Sequence, residues 1–359
     1  MTSAVHNVVV KIGTSSLTNA DGVIDIDVIG RIADELASLR AKDFQVTLVS
    51  SGAIAAGLPA LGMDSAARPT DAVSLQAISS VGQSALLQAW DGVFASHGLV
   101  VGQILLAPNN FGDRSPYLHA RSTLSRLHEL GVIPIINEND AVTDAEIRYG
   151  DNDRIAALVA NMVEADTLVL LTDTDGVLTA DPNVEPDASL IEEIHDFGEL
   201  EDVAVGGAGT SRGSGGMASK LTAAKIASRS GVRTVIANAK RPSVIVDAIA
   251  GVEGVGTVVP ASETSTSARK LWIEFAMPPV ARIVVDDGAR NALSKGGRSL
   301  LAVGIVSVDG SFERRDPVEL ADGAGTVFAK GLARASHTDL DGNSDVNVII
   351  HADDLVLVG

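Results

Sequence analysis

The chain has 359 residues, of which 46% are hydrophobic, which is enough for a buried core and predicts two domains rather than one. Its net charge of −19 opposes long-range attraction to nucleic acid and to anionic membranes. The absence of cysteine excludes disulfides, thiolate zinc sites and cysteine nucleophiles.

The start of the chain shows no sign of a secretory signal. Residues 1–6 lack both the basic start and the apolar stretch of a signal peptide. No apolar run in the sequence approaches the roughly 20 residues that a membrane helix needs. The sequence therefore predicts a cytoplasmic protein that has no membrane partner.

Strand-like and helix-like segments alternate through the first part of the chain. Val8–Val10 is a short β-branched run, and the apolar residues between Val28 and Leu39 recur at helical spacing. The later strands are predicted at Val46–Val49, Val132–Ile136, Thr167–Leu171 and Val232–Ala237, with helical stretches between them. This order predicts an α/β domain over residues 1–260, with a mostly parallel open sheet sandwiched by helices.

The pattern changes after a polar, small-residue stretch at Ala261–Ala268, and residues 261–277 are predicted to be a linker. From 278 to 356 the apolar runs are short and closely spaced, which predicts a small, mainly-β barrel domain. These runs are Ala281–Val285, Leu300–Val308, Val327–Leu332 and Val346–Ile350. The pairs Asp287-Gly288 and Asp309-Gly310 are typical of tight turns and are predicted to form them.

Polar residues follow four of the apolar runs of the first domain. In open parallel sheets, ligands bind outside the carboxyl ends of the strands. The four ends are Lys11–Ser15, Ser50–Ala53, Asn137–Asp140 and Thr172-Asp173. A solvated lysine, a packing turn or a well-made loop could explain any one of them. Four in one domain indicate a ligand site.

Two of these ends suit a phosphorylated ligand. Lys11 precedes Gly13, so the lysine could reach nucleotide phosphates where glycine permits close approach of the backbone. Ser50–Gly52 lies between a strand and a helical run, where backbone N–H groups could bind an anion. A nucleophilic serine is rejected, because the nucleophile elbow needs Gly-x-Ser-x-Gly and Val49 and Leu48 stand where its first glycine would be.

The glycine-rich segment 206–220 is the strongest local signal. It leads into an Ala-rich helix that carries Lys220 in its first turns, so backbone N–H groups and a lysine could bind polyphosphate together. No Gly-Lys-Ser/Thr occurs, which excludes a Walker A loop. The spacing Gly213-x-Gly215-x-x-Ala218 matches the dinucleotide-binding motif, but no predicted strand comes directly before it. A binding site for NAD is therefore rejected. A disordered surface loop is the alternative to a phosphate-covering flap.

Asp151, Asn152 and Asp153 precede the helical run Ile155–Met162. Asp and Asn are common helix caps, and capping alone could account for one of them. Three polar residues where one cap would suffice favour a second role. Asn152 could bind the amine or carboxylate of a substrate, and Asp153 could orient the lysines.

Taken together, these segments resemble the amino acid kinase family over the whole first domain. The resemblance rests on residues 10–15, 49–54, 136–142, 150–153, 171–173, 179–182 and 213–220. The strings Asn137–Asp140 and Gly215–Lys220 are similar to those of family members that phosphorylate glutamate. The tail resembles a PUA domain, and the order of kinase and then PUA is typical of the same group.

The resemblance implies that ATP phosphorylates the side-chain carboxylate of L-glutamate to L-glutamyl 5-phosphate, the first step of proline biosynthesis. It implies that Lys11 and Lys220 neutralise charge on the transferring phosphoryl group and that Asp153 holds them. The residues implied in glutamate binding are Ser51, Gly52, Asp140 and Asn152. The residues implied in ATP binding are Lys11, Thr172, Asp173, Ser214, Gly215, Gly216, Met217, Ala218, Ser219 and Lys220.

The resemblance also implies Mg²⁺, bound mainly through the ATP phosphates, with no metal ligand assigned to the protein. It further implies feedback inhibition by proline, a homodimer or homotetramer, and a functional link to the next dehydrogenase of the pathway. A carboxylate is already ionised at pH 7 and needs no general base, so positioning and positive charge should supply the catalysis. Asp140 is expected to bind the substrate α-amine.

Two alternatives stay open on the sequence. Another amino acid kinase, acting on acetylglutamate, aspartate or uridylate, would share the fold and differ in the acceptor. The tail could instead bind RNA, as many PUA domains do. The acidic balance of residues 278–359 argues against nucleic acid, since RNA-binding domains are usually basic.

Overall fold

A computed structural model describes most of the chain, in two compact units, Met1–Ser265 and Thr266–Gly359. The described residues are 6–65, 68–107, 109–112, 114–142, 152–180, 185, 187–198, 216–263, 266–275, 279–340 and 347–358.

The first unit is built on a seven-stranded sheet. Its strands are β1 Asn7–Ile12, β2 Gln45–Ser50, β3 Val101–Leu106, β4 Ile133–Glu138, β5 Thr167–Thr172, β6 Arg233–Asn238 and β7 Gly256–Val259. The spatial order is β3-β4-β2-β1-β5-β6-β7. All neighbours are parallel except β6 and β7. This confirms the predicted α/β class with a mostly parallel sheet.

The helices of the first unit connect these strands. They are α1 Thr14–Leu17, α2 Ile26–Arg40, α3 Ala53–Ala60, α4 Ala72–Ser96, α5 Asn109–Gly112, α6 Arg114–Glu129, α7 Asn152–Met162, α8 Met217–Arg229 and α9 Val244–Ala250. Every residue of β4 and β5 is buried, as expected for parallel strands with both faces covered. The sheet core is therefore continuous, and polar groups are concentrated where strands end.

Helix α2 shows how the sequence pattern becomes structure. The Asp25 side chain accepts hydrogen bonds from the backbone N–H groups of Asp27 and Val28 and so caps the first turn. Its buried residues recur three and four apart, at Ile29, Ile32, Ala33, Leu36 and Leu39. This confirms the helix predicted between Val28 and Leu39 and extends it to Arg40 at the C-terminus.

Helices α3 and α4 approach each other closely at two glycines. A Cβ atom on Gly82 would lie 1.7 Å from the carbonyl oxygen of Ala53, and one on Gly57 would lie 2.1 Å from that of Ile78. No larger residue fits either position without moving a backbone. The two glycines therefore set the distance between the helices, and with it the placement of the polar residues that α4 carries.

The second unit is mainly β, as predicted. Its elements are α10 Ala268–Phe275, β8 Ala281–Val285, α11 Asp287–Ser294, β9 Leu300–Leu301, β10 Ile305–Gly310, β11 Pro317–Ala321, β12 Val327–Leu332, β13 Val348–Ile350 and β14 Leu355–Leu357. A five-stranded sheet runs β10-β8-β11-β12-β14, and β13 pairs with β9. Buried side chains that include Ile283, Phe312 and Leu320 form its core. Helix α10 lies within the segment predicted as a linker.

Both turn predictions in this unit are wrong. Asp287-Gly288 begins helix α11, because the Asp286 side chain accepts a hydrogen bond from the N–H of Ala289 at 2.7 Å and caps that helix. Asp309-Gly310 ends strand β10 and stays paired with β8. Gly310 has φ 91°, a left-handed conformation that glycine adopts at little cost. The glycine is therefore needed for the backbone conformation at the last residue of the strand, and not for a turn.

Candidate active site

The sheet order brings the four predicted strand ends to one edge. Strands β4, β2, β1 and β5 are consecutive neighbours and run parallel, so their carboxyl ends point the same way. Lys11 pairs in register with Val49 on one side and Leu170 on the other. The ends of all four strands therefore form one continuous edge, as the sequence predicts for a ligand site.

Asp153 joins the two predicted lysines at this edge. It lies in the first turn of α7, and Lys220 lies in the first turn of α8. The Lys11 Nζ lies 2.6 Å from one carboxylate oxygen of Asp153, and the Lys220 Nζ lies 3.4 Å from the other. The side chains are 4%, 1% and 6% exposed for Lys11, Asp153 and Lys220, so water screens this cluster little.

Two ammonium groups share one carboxylate in this cluster. Burial by itself raises the pKa of Asp153, but the ammonium groups of Lys11 and Lys220 outweigh it and hold the pKa of that carboxyl below its usual value. Asp153 is therefore ionised at neutral pH, and one carboxylate balances one of two ammonium charges. The two ammonium groups are buried at the end of the sheet, where they favour an arriving anion.

The turn after β2 depends on Gly52. Gly52 has φ 104° and is the N-cap of α3, a conformation that L side chains rarely adopt. The N–H of Ser51 donates to the carbonyl oxygen of Ile12 at 3.0 Å, which ties this turn to the end of β1. The indole N–H of Trp90 donates to the Ser50 hydroxyl at 3.0 Å. Ser50 is thus engaged within the fold, and Ser51 faces the neighbouring amide of Asn152.

Hydrogen bonds fix the orientation of the Asn152 side-chain amide. Its Oδ1 accepts from the backbone N–H of Glu138 at 3.1 Å. Its Nδ2 donates to Asn137 Oδ1 at 2.9 Å and to the Ser51 hydroxyl at 3.3 Å. With both ends assigned, the amide has one orientation, in which one Nδ2 donor points to Ser51 in the turn and the other to Asn137. Helix capping alone does not account for these contacts of the Asn152 amide.

Helix α4 supplies two buried polar residues that the sequence analysis missed. Gln83 accepts from Asn137 Nδ2 at 3.2 Å and donates to the Glu138 carbonyl oxygen at 3.2 Å. Ser79, one turn earlier, donates its hydroxyl hydrogen to Asp140. Two polar residues four apart on the buried face of a helix, next to Gly82, are the sequence signal that could have identified them.

Asp140 places a carboxyl group beside the end of β4. It lies in a short 3-10 turn just after β4 and is buried. Burial raises the pKa of the Asp140 carboxyl, and the hydrogen bond from Ser79 acts in the opposite direction. A ligand ammonium group beside this carboxylate would stabilise its ionised form. The position therefore fits the predicted role of binding an amine.

The end of β5 carries the predicted nucleotide residues Thr172 and Asp173. The Thr172 hydroxyl donates to Asp173 Oδ1 at 3.2 Å, and its carbonyl oxygen accepts from the N–H of Ala239 at 2.8 Å. At the end of the adjacent β6, Asn238 Nδ2 donates to Asp175 at 2.8 Å. Asn238 was not predicted, although it also follows an apolar run.

Helix α8 begins where the glycine-rich segment ends. Gly216 is its N-cap, and Met217, Ala218, Ser219 and Lys220 form the first turn. The predicted ATP residues Ser214 and Gly215 lie outside the described residues. The described part therefore places Lys220 beside Asp153.

Among the residues that the structure describes, no group of three or more His, Asp or Glu side chains gathers as a metal site. Within the same residues, no helix is both long and apolar enough to span a membrane.

Comparisons with known proteins agree with this architecture. Residues 7–238 match the model of the amino acid kinase family, and residues 281–343 match that of the PUA domain. A glutamate 5-kinase from Methylobacillus flagellatus is 46% identical over 376 residues, covering 100% of both chains. A glutamate 5-kinase from Synechococcus elongatus is 41% identical, covering 98% of this chain and 99% of the other.

One solved structure has a similar fold. Carbamate kinase from Giardia lamblia bound to AMP-PNP has a TM-score of 0.51 and 20% sequence identity, covering 72% of this chain and 99% of the other. At this identity the match concerns the fold alone.

Proposed function

The chain belongs to the amino acid kinase family, and on that premise we propose that it transfers the γ-phosphoryl group of ATP to the side-chain carboxylate of L-glutamate. The products are ADP and L-glutamyl 5-phosphate. Relatives named glutamate 5-kinase that align with the whole chain support this choice of acceptor. The observation that carries the proposal is the Asp153 carboxylate lying between two buried ammonium groups at the end of a parallel sheet.

The chemical step needs charge and position rather than proton transfer. An oxygen of the glutamate side-chain carboxylate attacks the γ-phosphorus of ATP, and the bond to the oxygen that bridges to the β-phosphorus breaks, so ADP leaves. No proton is transferred, because the attacking carboxylate is already ionised at pH 7. The obstacle is the electrostatic repulsion between the substrate carboxylate and the ATP phosphates. Lys11 and Lys220 reduce this repulsion by neutralising charge on the transferring group.

Asp153 keeps the two lysines apart and available. Its two oxygens face different ammonium groups, so each lysine is held at a separate point of the site. Lysine is a compact charge on a flexible stem and can turn from the carboxylate towards a phosphoryl oxygen. Asp153 thus acts through the lysines, as a positioning residue.

The glutamate side of the site is proposed around Asp140 and Asn152. Asp140 binds the α-ammonium group, which distinguishes an amino acid from a simple acid. Ser51 donates its hydroxyl hydrogen to a substrate carboxylate, and Asn152 exchanges its 3.3 Å bond to the Ser51 hydroxyl for one to the same carboxylate. Gly52 lets the backbone approach closely. The buried amide contacts of Asn152 support its part, since they fix which end of the amide faces the turn.

The ATP side is proposed around Thr172, Asp173 and the segment Ser214–Lys220. Mg²⁺ accompanies ATP and is bound mainly through its phosphates, as is usual where a nucleotide supplies most of the ligands. Asp153 is already paired with two cations and is not assigned to the ion.

The wider role is also a proposal. The reaction is the first step of proline biosynthesis in the cytoplasm, with feedback inhibition by proline. The protein is proposed to form a homodimer or homotetramer and to be linked to the dehydrogenase that consumes its product. We assign residues 1–260 to the kinase domain, 261–277 to a linker and 278–356 to the PUA domain; the family models support the order of the two domains.

An acceptor comparison tests the proposed reaction. ADP release from ATP and Mg²⁺ is measured with L-glutamate, L-aspartate, N-acetylglutamate and UMP, and hydroxylamine is added to trap an acyl phosphate. The proposal predicts turnover with L-glutamate and formation of its hydroxamate. Turnover with another acceptor instead would contradict the substrate assignment. A folded protein with no turnover on any acceptor would contradict the kinase proposal itself.

A further inference from the structure

Ser79 on helix α4 contacts the Asp140 carboxylate, which belongs to another element of the first unit. The Ser79 hydroxyl donates to Oδ2 of Asp140, 61 residues further along the chain. Ser79 is 1% exposed and Asp140 is 9% exposed, so water competes little with this bond. Because a charge-assisted hydrogen bond in such surroundings restrains both partners, the bond restrains the direction in which the Asp140 carboxylate faces.

The next serine in α4 makes a different kind of bond. Ser80 is exposed, and its hydroxyl donates to the carbonyl oxygen of Gln76 in the same helix at 2.9 Å. A hydroxyl that bonds to its own helix four residues back is a common arrangement for serine inside a helix. The Ser79 hydroxyl instead donates to a side chain outside α4. This difference indicates that Ser79 serves the Asp140 carboxylate rather than the helix.

Close backbone packing determines where Ser79 lies. Gly57 of α3 lies against the carbonyl group of Ile78, the residue before Ser79, and a Cβ atom on Gly57 would lie 2.1 Å from that carbonyl oxygen. Helix α3 begins at the turn of Gly52, where the substrate carboxylate is proposed to bind. The contact between the two helices therefore sets the position of Ser79 relative to that turn.

Helix α4 contacts the proposed glutamate site at two points one turn apart. Gln83 accepts from Asn137, which in turn accepts from the Asn152 amide where the substrate carboxylate is proposed to bind. Ser79 contacts Asp140, where the substrate amine is proposed to bind. The two side chains of α4 are therefore expected to affect the binding of different groups of the same substrate.

Binding of an ammonium group needs an ionised carboxylate that faces it. Burial raises the pKa of the Asp140 carboxyl, and the bond from Ser79 acts against that rise. The same bond favours the ionised form and orients it, and both effects strengthen the attraction to a cation. A diacid without an amine brings no cation to this carboxylate, so the bond from Ser79 gives it no advantage.

We propose that Ser79 is a positioning residue that orients the Asp140 carboxylate and so determines the preference for an acceptor that carries an amine. The inference rests on the proposed function, in which Asp140 binds the α-ammonium group of L-glutamate. Ser79 acts through Asp140 and is assigned no contact with the substrate. A serine that only stabilised the fold would affect the binding of amino acids and of simple diacids alike.

Calorimetric titration of the full chain with L-glutamate and, separately, with glutarate tests the inference. Glutarate is L-glutamate without its amine, so the ratio of the two dissociation constants measures the preference for an amine. The wild type is compared with Ser79→Ala, with Ser79→Cys, with Asp140→Asn and with the double variant of Ser79→Ala and Asp140→Asn. Ser80→Ala is the matched control on the adjacent exposed serine, and Gln83→Leu perturbs the other point of contact. ATP is left out, so that binding is measured apart from phosphoryl transfer.

We expect Ser79→Ala to bind L-glutamate at least about tenfold more weakly than the wild type and glutarate within about threefold, because the charge-assisted contact involves only the amine. Ser79→Cys has a similar size and a weaker donor, so its loss should be intermediate. Ser80→Ala should stay within about twofold for both ligands, and Gln83→Leu should weaken both. The double variant should match Asp140→Asn within about twofold, since Ser79 acts through that carboxylate.

A Ser79→Ala protein that keeps the wild-type ratio, or that loses affinity for both ligands equally, would overturn the inference and leave the kinase proposal standing. A double variant with a much smaller preference than Asp140→Asn would also overturn it, because Ser79 would then act by another route. A wild type that binds no L-glutamate and forms no hydroxamate would overturn the proposed function, and the inference with it.

Discussion

Each unit of this protein holds one aspartate between two cations, and the two arrangements differ in burial and in the kind of cation. Asp153 lies between two lysines, with all three side chains at most 6% exposed. Asp354 lies between two arginines that are 39% and 45% exposed. The comparison teaches that the same charge pattern serves two purposes. Buried lysines keep a strong, movable charge, whereas forked arginines lock a geometry at the surface.

The largest effect is expected at the buried aspartate. Asp153→Asn leaves two buried ammonium groups without their carboxylate, which we expect to cost about 3–5 kcal/mol in the free energy of unfolding. We also expect kcat to fall at least about 100-fold, because the lysines lose their positions. Urea unfolding and steady-state kinetics measure the two effects.

The matched change in the second unit is at Asp354, whose own side chain is buried while its arginine partners are exposed. Asp354→Asn should cost no more than about half as much in the free energy of unfolding, because water screens its exposed arginine partners. Equal losses of stability for the two substitutions would break the comparison, since burial would then not decide the strength of the cluster.

The next effect concerns Gln83, which supports the glutamate side of the first site. Gln83→Leu removes its bonds to Asn137 and to the Glu138 carbonyl, so the Asn152 amide loses its fixed orientation. We expect KM for L-glutamate to rise about 10–100-fold with a smaller change in kcat, since a binding group is misplaced. Gln88→Leu on the same helix is exposed and serves as the control. An unchanged KM would contradict the assigned positioning role.

Acid pH should separate the two kinds of buried group in the first unit. Burial, and to a lesser extent Arg40, lower the pKa of His128 to about 4. The unfolded chain then binds the proton more readily, so stability is lost as pH falls from about 6.5 towards 4, by up to about 3 kcal/mol. Asp153 acts in a lower pH range, because its pKa is depressed in the folded protein. Its contribution to the free energy of unfolding is retained until pH falls below the usual aspartate pKa.

His128→Gln tests this assignment. The variant should lose less stability than the wild type between pH 7 and pH 5, measured by urea unfolding at each pH. Its curve should rejoin the wild-type shape in strongly acidic solution, where carboxylates titrate in both proteins. A wild-type curve that is flat between pH 7 and pH 5 would contradict the buried, neutral state of His128.

The smallest effect is expected when the exposed guanidinium group of Arg334 is replaced by an ammonium group. Arg334→Lys keeps the charge beside Asp354 but replaces two hydrogen bonds from a planar fork with one movable ammonium group. We expect a loss below about 1 kcal/mol in the free energy of unfolding, because the arginine is 45% exposed. A loss larger than that of Asp153→Asn would reverse the order of the two clusters.

Sequence patterns predicted the sheet well where strands are continuous apolar runs. Strand β3 was missed because Gly102 and Gln103 interrupt its apolar run, and its place in the sheet depends on pairing with β4. Asp287-Gly288 was wrongly predicted to form a turn, because an Asp-Gly pair occurs both in turns and at the start of helices. The decisive feature was Asp286, whose side chain caps the helix from one position earlier.

The positions of candidate site residues were predictable where they lie at or just after strand ends, as Lys11, Ser51 and Asp140 do. The residues Ser79 and Gln83 were not, because they lie inside a long helix and reach the site only through the close contact at Gly82. No local pattern specifies how near two helices lie. Positions that depend on tertiary packing therefore escaped the sequence analysis, while those that depend on chain direction did not.

The rate of phosphoryl transfer in Lys220→Gln tests the role of the buried lysine pair most directly. Lys225→Gln, on the same helix but outside the cluster, is the control, and single-turnover transfer from ATP to L-glutamate is measured in both. We expect a rate at least about 100-fold lower for Lys220→Gln, with KM for L-glutamate changed less than about threefold and the control unaffected. A folded Lys220→Gln protein that transfers the phosphoryl group within about fivefold of the wild-type rate would contradict the central role of the buried lysine pair.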